Sequence, residues 1–263
     1  DLEKDFDGHC GSWGYTESPL VDGDKVLVTP GGKKNTIVAL DKSNGKLIWT
    51  SPVPDGDTAG YSSIIAAEVD GQRQYIQFTS RGVVGVAAKD GKFLWRYDEP
   101  ANRTANCSTP VFYKNQVFAA SAYGKGGGLA KLTRTDDKTT AEQVYFTDDM
   151  QNHHGGMVLV DGYLYGSNEG QVCCLKFDTG EIMWQNKAPG KGSITCADGC
   201  LYYRNEGGKL FLFEANPKEY KQLGTFKQQD RSDHQAWAHP VIANGRMYIA
   251  DQDKLFCYDV KKK

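Results

Sequence analysis

Adjacent histidines, His153-His154, with His239 and His9 elsewhere in the chain, are the side chains best suited to metal or acid–base work. Imidazole nitrogens ligate metals well, but neighbours in an extended chain point to opposite sides, so two adjacent rings rarely hold one ion. No metal site is assigned on them. Ser232-Asp233-His234 holds the three residue types of a hydrolytic triad. Nothing in the sequence orders them as nucleophile, base and orienter, and residues 230–233 read instead as a cap leading into the last repeat. Tyr123-Gly124-Lys125-Gly126-Gly127-Gly128 is glycine-rich, yet it lies between strands and lacks the following helix that a phosphate cradle needs. No catalytic residue is assigned.

The elements that must position these residues are legible from turn chemistry. Hairpin signals read Val21-Asp22-Gly23-Asp24, Val69-Asp70-Gly71-Gln72, Tyr113-Lys114-Asn115-Gln116, Val160-Asp161-Gly162-Tyr163, Ala197-Asp198-Gly199-Cys200 and Ala243-Asn244-Gly245-Arg246. From the Asp or Asn of each to the next, the steps are 48, 45, 46, 37 and 46 residues. Asp-Gly and Asn-Gly suit two-residue turns in which both residues take φ > 0. A second signal shares the period: Asn44-Gly45-Lys46-Leu47-Ile48-Trp49 recurs as Asp90-Gly91-Lys92-Phe93-Leu94-Trp95 and as Thr179-Gly180-Glu181-Ile182-Met183-Trp184. Degenerate copies end at Tyr145-Phe146 and Phe226, which keep an aromatic. Such rings belong in a core, where each buries roughly 150–250 Å². A hairpin unit every forty-odd residues is the sign of a β-propeller.

The expected fold is therefore all-β, a β-propeller of six four-stranded antiparallel blades in one domain. The repeats span residues 15–52, 60–98, 106–147, 153–187, 191–228 and 236–260. In each, strand A leads through the hairpin to B, then C, then a Gly turn to D. The C strands (Thr36–Leu40, Val83–Ala88, Leu129–Leu132, Val172–Phe177, Leu210–Phe213, Leu255–Tyr258) are mostly apolar on both faces, as strands sandwiched between sheets should be. The last repeat lacks a D strand, and Leu2, Lys4 and Phe6 alternate weakly, so residues 1–14 are expected to close that blade as a strand. Thr133–Glu142 reads as an enlarged C–D turn.

Composition narrows the partners. The net charge is −2, from 31 Lys and Arg against 33 Asp and Glu, mixed along the chain. This gives no electrostatic case for nucleic acid or a membrane surface. No run of 18 apolar residues exists, so no helix is expected to span a bilayer. The seven cysteines cannot all pair. If Asp198-Gly199 is a two-residue turn, Cys196 and Cys200 point to opposite sheet faces and cannot be bridged. Cys173-Cys174 lie in a C strand and read as small buried hydrophobes, as does Cys257.

Strand A lines the central channel of a propeller, so D–A segments and B–C loops share one rim. The D–A segments are rich in polar and aromatic side chains. The candidate ligand-binding residues are Trp13, Tyr15, Glu17, Tyr61, Asn106, His153, His154, Lys191, Trp237 and His239. Lys33, Lys34, Arg81, Lys125, Glu169, Arg204, Asp251 and Asp253 come from B–C loops. Aromatics among His, Lys and carboxylates suit a small-ligand or peptide site. The competing reading is that they plug and hydrogen-bond the channel mouth.

The repeat Ser18-Pro19-Leu20-Val21-Asp22-Gly23…Val38-Ala39-Leu40-Asp41…Gly45-Lys46-Leu47-Ile48-Trp49 resembles the pyrroloquinoline-quinone (PQQ)-like propeller repeat over nearly the whole chain. Trp13-Gly14-Tyr15-Thr16-Glu17-Ser18-Pro19, Asn152-His153-His154-Gly155-Gly156 and residues 230–240 resemble one bacterial branch, common in planctomycetes, described as PQQ-binding-like or polyvinylalcohol-dehydrogenase-like. Members of that branch resemble eight-bladed rings with further repeats upstream, so the chain is expected to be either a six-bladed relative or a fragment of such a ring. The resemblance and the rim residues together leave three functions open. One is a non-catalytic binding or scaffold propeller without cofactor, contacting a protein, small molecule or carbohydrate at the rim. A second is a quinone-dependent alcohol dehydrogenase using PQQ and Ca²⁺, for which Cys173-Cys174 would be a cofactor-stacking disulfide, although no converging Glu/Asn/Asp set matches that pattern. The third is a carbohydrate-binding propeller stacking sugars on Trp13, Tyr15, Tyr61 and Trp237. The resemblance also implies a periplasmic or cell-surface location.

Overall fold

The structure, a computed structural model, describes residues 1–136, 138–154 and 156–261. The fold is an all-β propeller type, and the chain gathers into two compact units, residues 1–151 and 152–263. The first unit holds three four-stranded blades. Blade 1 is β1 (Leu20–Asp22), β2 (Lys25–Val28), β3 (Ile37–Asp41) and β4 (Leu47–Ser51). Blade 2 is β5 (Ile65–Val69), β6 (Gln72–Phe78), β7 (Val83–Ala87) and β8 (Phe93–Tyr97). Blade 3 is β9 (Val111–Tyr113), β10 (Gln116–Ser121), β11 (Gly126–Thr135) and β12 (Lys138–Thr147). The second unit begins with blade 4, β13 (Met157–Val160), β14 (Tyr163–Asn168), β15 (Gln171–Lys176) and β16 (Ile182–Asn186). Blade 5 is β17 (Gly192–Ala197), β18 (Cys200–Asn205), β19 (Lys209–Glu214) and β20 (Gln222–Lys227). Blade 6 is β21 (Val241–Ala243), β22 (Arg246–Asp251) and β23 (Lys254–Asp259). Strands pair antiparallel with their sequence neighbours throughout.

The hairpin signals set these registers. Val69 pairs with Gln72, Tyr113 with Gln116, Val160 with Tyr163, Ala197 with Cys200 and Ala243 with Arg246. Both loop residues of each turn have φ > 0, including Lys114 and Asn115. Blade 1 departs: Asp22 pairs with Lys25, so its loop is Gly23-Asp24. That leaves Asp22 on the strand, where Arg73 grips its carboxylate at 2.7 and 2.8 Å and the Tyr75 hydroxyl donates to it at 2.7 Å. This bidentate pair fastens blade 1 to blade 2.

Every four-stranded blade carries one β-bulge between its third and fourth strands. The extra residue is Ile48, Leu94, Val144, Met183 or Leu223. A bulge bends the strand and re-aims the next side chain. That next residue is Trp49, Trp95, Tyr145, Trp184 and, in blade 5, Gly224. The expected aromatic in blade 5, Phe226, is two residues off this position and is half-exposed. Trp49 stacks on Tyr75 of the next blade at 6.1 Å, and Trp184 meets Phe213 of the next blade edge-on. Within each unit, apolar cores therefore lie between consecutive blades. Leu27, Ile37 and Trp49 meet Tyr75 and Val84 in the first unit. Tyr165 and Cys174 meet Leu201, Tyr203 and Phe213 in the second.

Three sequence expectations are corrected. Residues 1–14 contribute no strand to any sheet; Leu2–Phe6 form a short helix, α1. Asp1 caps it by accepting from the Glu3 and Lys4 amides, and Glu3 and Asp5 lie in its positive first turn, which outweighs a weak alternation. The following residues thread beside blade 1, with the His9 amide donating to the Pro30 carbonyl at 2.8 Å and the Ala59 amide to the His9 carbonyl at 2.8 Å. Thr133–Glu142 is not an enlarged turn. β11 and β12 run on as a ten-residue hairpin in which Thr133 faces Thr140, as β-branched residues favour; Asp137 lies outside the described residues. Finally, Cys257 is exposed: it alternates along β23 with Phe256 and Tyr258, which pack toward blade 5, so its thiol lies on the other face of the sheet. Cys173 and Cys174 are fully buried. Cys196 faces Leu201 and Cys200 faces Ala197, and none of the seven cysteines is in a disulfide.

Candidate functional site

The second unit brings His153, His154, Lys191, Trp237 and His239 together. The histidines precede β13, Lys191 precedes β17, Trp237 and His239 precede β21, and the turn from β18 to β19 supplies Glu206. Gly155, beside the histidines, lies outside the described residues. Glu206 joins the others. Its carboxylate takes the Lys191 ammonium at 3.1 Å and the Trp237 indole N–H at 3.0 Å, and lies 3.8 Å from His154 Nε2. Lys191 Nζ also reaches His153 Nδ1 at 2.9 Å. The sequence reading missed Glu206. The B–C loop rule would have found it, since the loop after Asn205 was represented there by Arg204 alone.

The electrostatics separate the charges. Burial pushes His154 down to about 4; Glu206 opposes this, while His153, Lys191 and His239 reinforce it. Burial also lowers His239 against a hydrogen bond with the His154 backbone. His153 is lowered by burial and then by Lys191. Burial would raise Glu206, but hydrogen bonds from Trp237 and Lys191 outweigh it and hold the carboxyl below its usual range. At neutral pH the site presents one carboxylate, one ammonium, neutral imidazoles and an indole face.

This arrangement holds no primed nucleophile. Ser193 Oγ is 3.4 Å from His154 Nδ1, but it donates to the Trp237 carbonyl at 3.1 Å and has no exposed surface. Ser232 donates to Asp251 at 2.6 Å rather than to His234. Arg204 and Asp251, read as rim residues, are buried.

The first unit gathers the other candidates. Trp13 packs edge-on against Tyr61 at 5.5 Å, and the Tyr15 hydroxyl donates to the Pro30 carbonyl at 2.9 Å. Asn106 is buried, with its amide nitrogen donating to the Thr79 and Ser80 carbonyls at 3.0 Å. Glu17 accepts from the Thr29 amide at 2.5 Å, the Thr29 hydroxyl at 2.8 Å and Gln77 at 3.1 Å. Burial nonetheless pushes its carboxyl up from 4.5 to about 7, the three hydrogen bonds opposing only in part. Between pH 4.5 and 7 the folded unit keeps a proton that the unfolded chain releases, so stability falls as pH rises through this window. Glu17→Gln is expected to flatten that slope by on the order of 2 kcal/mol, allowing for partial exposure. Urea unfolding at pH 5 and pH 8 measures it, and equal slopes in both proteins would refute it.

The family model described as outer membrane protein assembly factor BamB (PQQ_2) matches residues 3–186. The chain belongs to the PQQ_2 family. It is 22 % identical over 269 residues to the outer membrane protein assembly factor BamB of Moranella endobia, covering 92 % of this chain and 64 % of the relative. It is 25 % identical over 189 residues to a tetrathionate hydrolase of Acidithiobacillus ferrooxidans, covering 61 % of this chain and 35 % of that enzyme. This PQQ_2 chain thus spans less than two thirds of the length of these curated relatives. Among solved structures, BamB from Moraxella catarrhalis superposes with a TM-score of 0.64 at 18 % identity, covering 91 % of this chain and 67 % of that one. Quinohemoprotein alcohol dehydrogenase from Comamonas testosteroni gives 0.63 at 13 % identity, covering 92 % and 52 %. Both likenesses are of fold.

Cys173 and Cys174 of this PQQ_2 chain do not fit the role of a cofactor-stacking disulfide. They form no disulfide and have no exposed surface, and Cys174 lies in the core between blades 4 and 5. Successive strand residues face opposite sides of the sheet, so the pair offers no exposed disulfide for a cofactor ring. Among the described residues no group of three or more His, Cys, Asp and Glu converges as a metal site, whereas calcium takes six to eight oxygens.

Proposed function

We propose that this chain is a non-catalytic binding propeller that contacts a protein partner through the Glu206 cluster of its second unit. The observation that carries this reading is Trp237. Its indole N–H is tied to Glu206 while 45 % of the residue stays exposed. An aromatic held rigid and open to solvent, ringed by paired charges, is the usual anchor of a protein interface. Membership of the PQQ_2 family and the assembly-factor description of its Moranella endobia relative support a scaffold role. They favour the periplasm or cell surface as its place of work.

A photo-crosslinking residue at the exposed position His234 tests the proposal. Purified protein is irradiated with the solubilised envelope fraction of the source organism. The expected result is a discrete protein adduct that falls at least about tenfold in Trp237→Ala. An adduct unchanged by that substitution overturns the proposed anchor. Alcohol-dependent dye reduction after adding PQQ and Ca²⁺ overturns the non-catalytic assignment. Specific binding on a glycan array that depends on Trp237, without a protein adduct, makes the partner a carbohydrate.

A further inference from the structure

Blade 5 breaks the packing rule of the other four-stranded blades. The residue after the bulge faces the third strand: Trp49 opposite Ala39, Trp95 opposite Gly85, Tyr145 opposite Leu129 and Trp184 opposite Cys174. In β20 that position is Gly224, opposite Leu212. A Cβ built on Gly224 would meet nothing within 4 Å. Beside it lies a cavity of about 460 Å³ whose walls include Tyr202, Phe211, Phe226, Met247, Tyr258 and Val260. All of these belong to the second unit. Phe226 and Tyr258 stand 5.2 Å apart at 58°, forming an aromatic corner. The Thr225 hydroxyl on this strand is committed to the Leu210 carbonyl at 2.7 Å.

We infer that this cavity is a binding site for a planar bicyclic aromatic small molecule, which takes the place that an indole occupies in three of the sister blades. Its volume lies within the range of small-molecule sites, about 300–1,000 Å³. Its walls include four aromatic rings, which prefer offset or edge-to-face contact with another flat ring. The missing side chain is what makes the room: burying a Trp ring there would remove roughly 150–250 Å² of apolar surface from water, and Gly224 forgoes that gain while leaving the pocket open. The site is separate from the Glu206 cluster and stands whether or not that cluster binds a partner.

Indole and 2-naphthol are the probes. Titration of the intact protein should give saturable binding, followed by naphthol fluorescence and by ligand-observed NMR for indole. Gly224→Trp should weaken both probes at least about tenfold while leaving the melting temperature no lower than the parent's, since the new ring fills the same space. Hydrogen exchange of the parent protein with 2-naphthol should show added protection in residues 222–227 and 254–259. Absence of saturable binding, equal binding in Gly224→Trp, or protection confined to other segments would overturn the assignment. If Gly224→Trp fails to fold, the exchange map of the parent decides by itself.

Discussion

Replacing Arg204 by Leu is expected to destabilise the second unit by about 3–5 kcal/mol, the cost of removing one partner from a buried ion pair. The Arg204 side chain has no exposed surface. Its guanidinium donates to the Ala250 carbonyl at 2.9 Å and to Gln228 Oε1 at 2.7 Å, and approaches Asp251 at 3.6 Å. Gln228 and Ser232 in turn donate to Asp251 at 2.8 and 2.6 Å. One fork thus links blades 5 and 6, and leucine would strand a carboxylate and a carbonyl away from water. Arg204→Lys should recover little of the loss, since a single ammonium cannot span both acceptors. Arg204→Leu combined with Asp251→Asn should cost less than the sum of the two, because the second change removes the charge that the first leaves unpaired. Urea unfolding followed by tryptophan fluorescence measures these values. A loss below about 1 kcal/mol for Arg204→Leu would contradict a buried structural role.

Trp95→Ala should cost the first unit a similar amount, about 3–5 kcal/mol. Trp95 is 3 % exposed, and its indole N–H donates to Gln74 Oε1 at 2.7 Å, itself a fully buried side chain. Alanine would leave both a void and an unpaired amide. Trp95→Phe separates the two effects: it keeps most of the ring and should cost about 1–3 kcal/mol, the range for a buried polar group left unsatisfied. The opposing strand is matched to the ring, for a Cβ on Gly85 would lie 2.1 Å from the indole nitrogen. Gly85→Ala should therefore also destabilise, by about 1–3 kcal/mol of overpacking. A Trp95→Ala protein with unchanged unfolding midpoint and slope would refute the core assignment.

Much of the fold was legible because hairpin turns are local. Asp161-Gly162 or Asn244-Gly245 states its own backbone conformation, and the register of two strands follows without reference to anything distant. The non-pairing of Cys196 and Cys200 came from that same local rule. The N-terminal helix was misread because a few alternating residues carry less information than the Asp1 cap that competes with them. The exposure of Cys257 was invisible for the opposite reason: whether a face of a C strand is covered depends on a neighbouring sheet, not on its own residues.

The candidate site divides in the same way. His153, His154, Lys191, Trp237 and His239 could be nominated because D–A segments share a rim in any propeller, a consequence of strand order alone. Glu206 could not be singled out as their hub, since its distances to Lys191, Trp237 and His154 join segments 15 to 52 residues apart in the chain. Nor could the sequence tell that Arg204, from the preceding strand, is buried while Glu206 turns to Lys191 and Trp237. By itself the sequence determined the repeat, the strand order, most hairpin registers and, outside blade 5, the places where aromatic rings enter the core, because short-range sterics and period-two patterning act between neighbours. Only the tertiary structure decided which polar groups meet, which are stripped of water and hence which titrate abnormally, as Glu17 and His154 do. Desolvation and charge pairing depend on distances between blades that the local pattern does not set.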